Sequence, residues 1–422
     1  MSQKLTGVRG MPDILPEEIP SWQHIESVMF SVLRRYGYRE IRLPLLERTE
    51  LFKRSIGEIT DIVEKEMYSF EDRNGDGLTL RPEMTAGIVR SGINHGLFHN
   101  QKQKLWSIGP MFRYEKPQHG RSRQFHQFDV EAFGFEGPDI DLELLLIASR
   151  IWKELDINAI ELQINSIGTP ECRSEYRDVL IKYFNDYRND LDDEEVARLN
   201  RNPMRLLDSK KEKIQGLIKS APKITDYLDS ESAEHFSQLQ ELLLATGLNY
   251  KINPRLVRGL DYYTRTVFEW TTDKLGSQSA VCAGGRYDGL VQQLGGKSTN
   301  AVGWALGMER LVELYQIESS SSPEINPDLY LVAVGEKAFS AALTLAEELR
   351  NKDPKLSIEV NCGGGSFKVQ FKRADKSGAK LALILGEEEL HNKKIGIKPL
   401  RDDRDQQTVS WTDIATSIKT YL

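Results

Sequence analysis

The sequence predicts an α+β fold: an antiparallel-sheet core, interrupted by a helical insertion and followed by a small C-terminal α/β domain. Three patterns carry this reading. Between residues 67 and 133, apolar and polar residues alternate around turn signals, the period of half-buried strands. Between 169 and 247 the texture becomes charged and helical in period, with breaks at Pro203 and Pro222. From about residue 328 onward, strand-like and helix-like segments alternate, which argues a mainly parallel sheet. At about 150 residues per domain, 422 residues make two to three domains. The expected boundaries are 1–168 for the first part of the core, 169–247 for the insertion, 248–322 for the second part of the core and 323–422 for the last domain.

Each element has its own reason. Trp22, Ile25, Val28, Met29, Val32, Leu33 and Tyr36 recur at helical spacing, so Ser21 to Tyr36 reads as a helix, capped by Ser21 after Pro20 and ended by Gly37. YREIRLPLLE follows as a short strand broken at Pro44, a residue that cannot donate a ladder hydrogen bond and belongs at an edge, a kink or a subunit boundary. MYSFEDRNGDGLTLRPE is a hairpin turning at Asn74-Gly75-Asp76-Gly77. KLWSIGPMFRYE and RQFHQFDVEAFGF are two strands around the polar loop KPQHGRSR, residues 139–155 form a helix, and ELQINSIG is a strand. Strand signals return at RLVRGLDYYTRTVFEW and SAVCAGGRYDGL, and AVGWALGMERLVELYQ is a strand or loop entering a helix. SSSSPEINP (319–327) is a linker by composition. LYLVAV, AFSAALTLAEELRN, LSIEV, a helix at about 366–377 and KLALILG build the last domain.

Composition narrows the function classes. With 39% hydrophobic and 28% charged residues the chain is globular rather than disordered or collagen-like. No apolar run approaches the roughly 20 residues that span a bilayer, so no membrane partner is expected. The segment MSQKLTGVRGMPDILPEE lacks the apolar core of a signal peptide, and Cys172, Cys282 and Cys362 are too few and too scattered for a disulfide framework or zinc cage. A cytoplasmic location is the simplest expectation. The net charge of −7 argues against coating nucleic acid through bulk charge, though not against local basic patches. Residues 323–422 hold 15 Lys+Arg and 15 Asp+Glu, so the whole deficit lies in the first 322 residues.

The most informative segment is FRYEKPQHGRSRQFHQFDVEAF. Arg113, Arg121 and Arg123 surround a loop that also holds Lys116 and His119, a clamp suited to phosphates. Residues two apart in a strand share a face, so Gln127, Asp129 and Glu131 lie together, alternating with Phe128 and Val130. Arg113 and Glu115 on the adjoining strand complete a polar face that is hard to explain as solvated surface. The segment resembles motif 2 of the class II aminoacyl-tRNA synthetases. The helix Ser21–Tyr36 with its Pro44 strand resembles motif 1, and AVGWALGMER, with Gly307, Glu309 and Arg310, resembles motif 3. RGLDYYTRTVFEW (258–270), AGGRYDGL (283–290) and LTLRPEMTAG (78–87) sharpen the likeness to the histidyl-tRNA synthetase family, bacterial type. The likeness runs from GVRGMPDILP to GGGSFKVQFKRADKSGA, essentially the whole chain.

The resemblance implies a class II catalytic core with an anticodon-binding C-terminal domain. It implies activation of histidine by ATP with Mg²⁺ and transfer to the histidine tRNA by a homodimer. It implies that Glu83, Thr85 and Gln127 hold the histidine ammonium. Glu131 accepts from one imidazole nitrogen, and Tyr263 contacts the other with Tyr262 beside it. A site that bonds both ring nitrogens leaves buried groups unpaired with any other amino acid, discrimination of about 10⁴–10⁵. Arg113 and Arg258, the two catalytic residues, meet the α-phosphate and the histidine carboxylate, and Arg258 takes over part of a metal ion's role. Glu115, Arg121 and Arg310 join Arg113 at ATP, with Mg²⁺ bridging the β- and γ-phosphates and no protein metal ligand assigned. Lys116, Gln118, His119 and Arg123 are the candidates for the tRNA acceptor end. Met84 is counted with Glu83 and Thr85 among the histidine-binding residues, although it stands where many relatives carry glycine. Gly284-Gly285 permits close approach to a small ligand.

In the last domain, Gly363-Gly364-Gly365 precedes a helix on which Lys368, Lys372 and Lys376 share one face. This resembles a phosphate cradle without being a P-loop, and the family likeness turns the stripe toward RNA. Other readings are a regulatory paralogue that kept the fold, such as the regulatory subunit of ATP phosphoribosyltransferase, a synthetase for another amino acid, or a plain RNA-binding protein. Retention of Arg113, Arg258, Arg310 and the C-terminal domain argues against the first. The peptides at 258–264 and 284–290 argue against the second. The pairing of Glu83 and Glu131 with an arginine set argues against the third.

Overall fold

The computed structural model describes residues 5–57, 60, 62–209, 211–276, 279–319 and 326–422. The chain divides into two compact units, Met1–Ser322 and Pro323–Leu422. Most of the linker expected at 319–327 lies outside the described residues.

The first unit begins with α1 (Ile19–Arg35), two residues earlier than its apolar period suggests: Pro20 occupies the first turn and Ser21 is a buried helical residue, not the cap. Proline fits there because the first-turn N–H groups have no intrahelical partner. The helix closes in a Schellman arrangement, with Gly37 N–H on Arg34 O (3.2 Å) and Tyr38 N–H on Leu33 O (3.0 Å). The single strand expected over 38–47 is two strands in different sheets. β1 (Arg39–Glu40) runs parallel to the edge of the main sheet, and β2 (Leu46–Arg48) joins a three-stranded sheet, with Pro44 between them. The rest of that small sheet is the expected hairpin, β3 (Tyr68–Glu71) and β4 (Gly77–Leu80), preceded by α2 (Thr49–Ile56). Asp72 Oδ1 shapes its turn by accepting from the N–H groups of Asn74 (2.8 Å) and Asp76 (2.9 Å).

After α3 (Thr85–Asn94), β5 (Gln103–Phe112) and β6 (Gln124–Phe133) pair antiparallel over ten residues each, from Gln103↔Phe133 to Phe112↔Gln124. Then come α4 (Asp139–Glu154), β7 (Glu161–Ser166), the helices α5 (Pro170–Asp186), α6 (Asp193–Arg201), α7 (Glu212–Ser220) and α8 (Ser230–Thr246), and β8 (Lys251–Ile252). β9 (Thr264–Thr271), β10 (Ala280–Arg286), α9 (Leu290–Gln293), β11 (Ala301–Gly307) and α10 (Met308–Glu318) complete the unit. The eight strands order as β1-β5-β6-β11-β10-β9-β7-β8 and are antiparallel except at the two edges. The strand expected from residue 255 starts only at Thr264; Arg258, Tyr262 and Tyr263 therefore sit on a loop at the sheet's border.

Two apolar layers hold the sheet. On one face Phe128, Val130 and Trp304 pack under α1, α4, α8 and α10. On the other, α3 and helices of the 169–247 segment bury Tyr176, Leu180, Phe184 and Ile218 in one cluster with Tyr262, Tyr263 and Tyr287. That segment is wholly helical apart from its turns, and it shares its core with the sheet. A fully buried pair, Arg286 Nε to Asp141 Oδ2 at 2.9 Å, ties β10 to α4.

The second unit is a five-stranded sheet, β13-β12-β14-β15-β16, formed by β12 (Leu329–Ala333), β13 (Ile358–Val360), β14 (Leu381–Leu385), β15 (Lys394–Pro399) and β16 (Gln407–Ser410). Its helices are α11 (Glu336–Lys352), α12 (Phe367–Lys376), α13 (Glu387–His391) and α14 (Ile414–Lys419). The sheet is mixed rather than mainly parallel: β13, β12 and β14 are parallel, while β15 and β16 are antiparallel additions. The alternation of strands and helices showed only the crossover half.

Candidate active site

A cavity of about 710 Å³ opens on the sheet face carried by β6, β9, β10 and β11. The period-two pleat of β6 sends Phe128, Val130 and Ala132 into the apolar layer behind and leaves Asp129 and Glu131 on the cavity side. Glu131 is buried and doubly bonded: Thr85 Oγ donates to Oε1 at 2.7 Å, and the Tyr287 hydroxyl donates to Oε2 at 2.5 Å. Burial pushes its carboxyl up to about 8 against the pull of those two donors, and the nearby charge of Glu83 adds to the rise. Asp129 is raised well above the usual carboxylate range by burial and by Glu131 and Glu83, and neither of its oxygens has a hydrogen-bond partner. Glu83, the third carboxylate, accepts from Ala86 N–H at 2.9 Å; burial raises its pKa, with that bond and Arg113 opposing. Buried carboxylates this close are stabilised as anions only when a cation joins them.

The rim is cationic. Arg113 donates through Nε to Pro82 O (2.9 Å) and lies over the Phe125 ring (5.2 Å). Arg258 pairs with Glu269 (2.5 Å) rather than with Asp261 or Asp288, and lies 5.4 Å over Tyr263. Arg121 pairs with Glu115 at 2.8 Å, and Arg310 donates to Ala280 O at 2.7 Å. Burial lowers the Arg310 pKa, and the like charges of Arg121 and Arg113 lower it further, with Glu115 and Glu269 opposing. Tyr262 and Tyr263, with ring centroids 4.7 Å apart, wall the cavity between floor and rim.

The structure brings Glu83, Thr85, Arg113, Glu115, Arg121, Gln127, Arg258, Tyr262, Tyr263 and Arg310 to this one cavity, with Glu131 buried against Thr85 at its base. Met84 does not line it; its side chain is fully buried in the apolar cluster that also holds Tyr262, Tyr263 and Tyr287. Lys116, Gln118 and His119 lie exposed on the loop between β5 and β6, with His119 Nε2 3.1 Å from Glu313. Arg123 stacks 3.9 Å over Tyr114 and is anchored by its backbone N–H on Gly10 O at 2.6 Å. Glu309 is the acceptor for the His126 backbone N–H (2.8 Å), tying α10 to β6. The glycines Gly284 and Gly285 admit protein rather than ligand: a Cβ at either would strike the backbone of β11 or β9. Gly303 leaves the space that the Glu131 carboxylate fills.

Residues 10–311 match the histidyl-tRNA synthetase family, and residues 328–421 match an anticodon binding domain. The chain belongs to the histidyl-tRNA synthetase family. It is 51% identical over all 422 residues to the histidine–tRNA ligase of Hydrogenovibrio crunogenus, covering 99% of that protein. The apo histidyl-tRNA synthetase of S. aureus superposes with a TM-score of 0.81 at 36% identity, covering 99% of this chain and 100% of that one. Histidyl-tRNA synthetase from Nostoc sp. shares the fold at 20% identity, TM-score 0.72, with 99% of each chain covered. The protein is a histidine–tRNA ligase, whose substrates are ATP, histidine and tRNA. Among the described residues no helix is long and apolar enough to cross a membrane.

Three participants carried no assigned role in the sequence reading. Asp129 was legible as part of the polar face but not as an unpartnered floor carboxylate. Tyr287, inside AGGRYDGL, has no local signal that it reaches Glu131, 156 residues away in the chain. Glu269 gives no sign in sequence that it neutralises Arg258.

Proposed function

We propose that the acidic floor and the arginine rim divide the substrates between them. Histidine lies on the floor, its ammonium against Glu83, Thr85 and Gln127, with Asp129 as a further acceptor. Its imidazole lies between Glu131 and Tyr263, with Tyr262 alongside. Its carboxylate and the α-phosphate of ATP meet Arg113 and Arg258. The distal phosphates meet Arg121 and Arg310. The single observation that carries this reading is one cavity lined by the buried carboxylates Glu83 and Asp129, with Glu131 buried against Thr85 at its base, and by the four guanidiniums of Arg113, Arg121, Arg258 and Arg310. A zwitterionic amino acid and a polyanion are the pair that satisfies both ends.

Activation is attack of the histidine carboxylate on the α-phosphorus with loss of pyrophosphate. The carboxylate is already a nucleophile, so the residues align and neutralise charge rather than abstract a proton. Arg258, held by Glu269 and Tyr263, keeps its charge although burial opposes it. A Mg²⁺ carried on the nucleotide would supply further neutralisation of phosphate oxygens; the cavity carboxylates Glu115 and Glu269 are already paired with Arg121 and Arg258, and among the described residues no group of three His, Cys, Asp or Glu side chains is placed to hold a metal ion. The exposed Lys116, Gln118 and His119, with Arg123, are placed by us at the acceptor end of the tRNA.

In the second unit, Lys368, Lys372 and Lys376 are exposed on α12 while Gln370 and Ala374 are buried. The exposed Phe367 stacks on Phe371 at 5.6 Å, with Lys398 4.8 Å over that ring. Such a platform of aromatic rings and lysines suits unstacked anticodon bases and their phosphates. A homodimer built around α1 and the Pro44 segment, and a cytoplasmic setting in keeping with three free cysteines, complete the proposal.

The test is amino-acid-dependent exchange of labelled pyrophosphate into ATP without tRNA, across all twenty amino acids. Exchange with histidine alone, lost in Arg258→Ala, supports the assignment. Exchange that survives Arg258→Ala at the parental rate overturns it.

A further inference from the structure

The loop 254–263 carries Arg258, Tyr262 and Tyr263 into the active-site cavity, and its back is held by two arginines of the helical segment 169–247. Arg173, on α5, donates to Tyr263 O at 2.6 Å. Arg205, in the short 3₁₀ helix Pro203–Asp208, donates to Gly259 O, also at 2.6 Å. The two carbonyls bracket the turn that presents the tyrosine pair. Arg173 is half-buried, and burial lowers its pKa, with Asp261 and Glu171 opposing. Hydrogen bonds from a charged donor are the strong ones.

Leu256, Val257, Tyr262 and Tyr263 pack the loop into the apolar cluster, but the packing behind it is incomplete. A second cavity, of about 290 Å³, lies behind it, lined by Arg173, Arg177, Arg205 and Asp261. On the far flank Asp261 N–H reaches Ile56 O only at 3.4 Å. The loop therefore has space behind it, and the two guanidinium-to-carbonyl bonds span that side, adding to the apolar burial and the Arg258–Glu269 pair that hold it elsewhere.

We infer that Arg173 and Arg205 are positioning residues for the histidine pocket: they set Tyr263 and Arg258 from behind without touching substrate. The helical segment is thereby part of the amino-acid specificity apparatus. This rests on the assignment of Tyr263 and Arg258 to that pocket.

The experiment measures histidine KM, ATP KM and kcat by pyrophosphate exchange for the full-length protein and for Arg173→Ala, Arg173→Lys, Arg205→Ala and Tyr263→Phe, with thermal midpoints recorded for each. The expected result is a histidine KM raised about 10-fold or more in Arg173→Ala and Arg205→Ala, at one ionised hydrogen bond per decade or so. ATP KM stays within about threefold, and Arg173→Lys recovers most of the loss. A purely structural role lowers the thermal midpoint and leaves histidine KM within twofold, which overturns the inference. Should Arg173→Ala not fold, Arg205→Ala and Arg173→Lys decide it by the same criterion. If Tyr263→Phe leaves histidine KM unchanged, the pocket assignment itself fails; if Tyr263→Phe raises it and the arginine variants do not, only the positioning role fails.

Discussion

Tyr287→Phe removes one oxygen from the floor of the site and should weaken histidine recognition strongly. The Tyr287 hydroxyl donates to Glu131 Oε2 at 2.5 Å, and the ring is fixed by its neighbours Phe133 (6.2 Å) and Tyr262 (5.6 Å). Phenylalanine keeps that packing, so the change isolates the hydrogen bond. A bond to an ionised group contributes about 1.5–3 kcal/mol, and its loss leaves Thr85 as the one remaining donor seen on Glu131. Glu131 already titrates at about 8 because of burial. Without Tyr287 its carboxyl rises further, by roughly 1–2 pH units for that energy. At neutral pH the anion that accepts from imidazole becomes scarcer, and kcat/KM for histidine should fall about 10- to 100-fold. Histidine-dependent pyrophosphate exchange from pH 6.5 to 9.5 reads both effects: a lower plateau and an acid limb moved to higher pH. A profile within threefold of the parent at every pH, from protein of unchanged thermal midpoint, refutes the role given to Glu131.

Three further outcomes are expected. Glu131→Gln should make stability less dependent on pH between about 4.5 and 8. The folded pKa of about 8 lies above the unfolded value, so the stabilisation is present at low pH and lost as pH rises through about 8. The thermal midpoint of Glu131→Gln relative to the parent should therefore climb between pH 5 and pH 8 and level off above, and a constant difference counts against the raised pKa. Gly303→Ala should cost about 1–3 kcal/mol or more in urea unfolding and abolish exchange, because the new methyl competes for the space of the Glu131 carboxylate. Phe367→Ala with Lys372→Glu should raise the tRNA KM in charging about 10-fold or more and flatten its salt dependence, while exchange without tRNA is untouched. Loss of exchange in that variant would contradict the division of labour between the two units.

What the sequence determined by itself was local. Strand alternation placed Asp129 and Glu131 on one face and Phe128 and Val130 on the other. The Asn-Gly-Asp-Gly turn set the hairpin, helical period set α1 and α10, and the ordered peptide motifs named most of the cavity residues. These signals survive in one dimension because they arise from backbone periodicity, turn chemistry and residue type. Where the reading slipped, the deciding forces were long-range. Ser21 is not a cap because the buried face of α1 extends the helix back through Pro20. The strand before Pro44 is split because its two ends find partners in different sheets. Gly284 and Gly285 are demanded by neighbouring strands, not by a ligand. The tertiary structure alone decided that Met84 turns into the core, that Glu269 rather than Asp261 or Asp288 neutralises Arg258, and that Tyr287 reaches Glu131. It alone decided that Arg173 and Arg205 arrive behind the tyrosine loop from a different helical segment. Burial and through-space partnership set the charge state and aim of a site residue, and neither is encoded at any spacing along the chain.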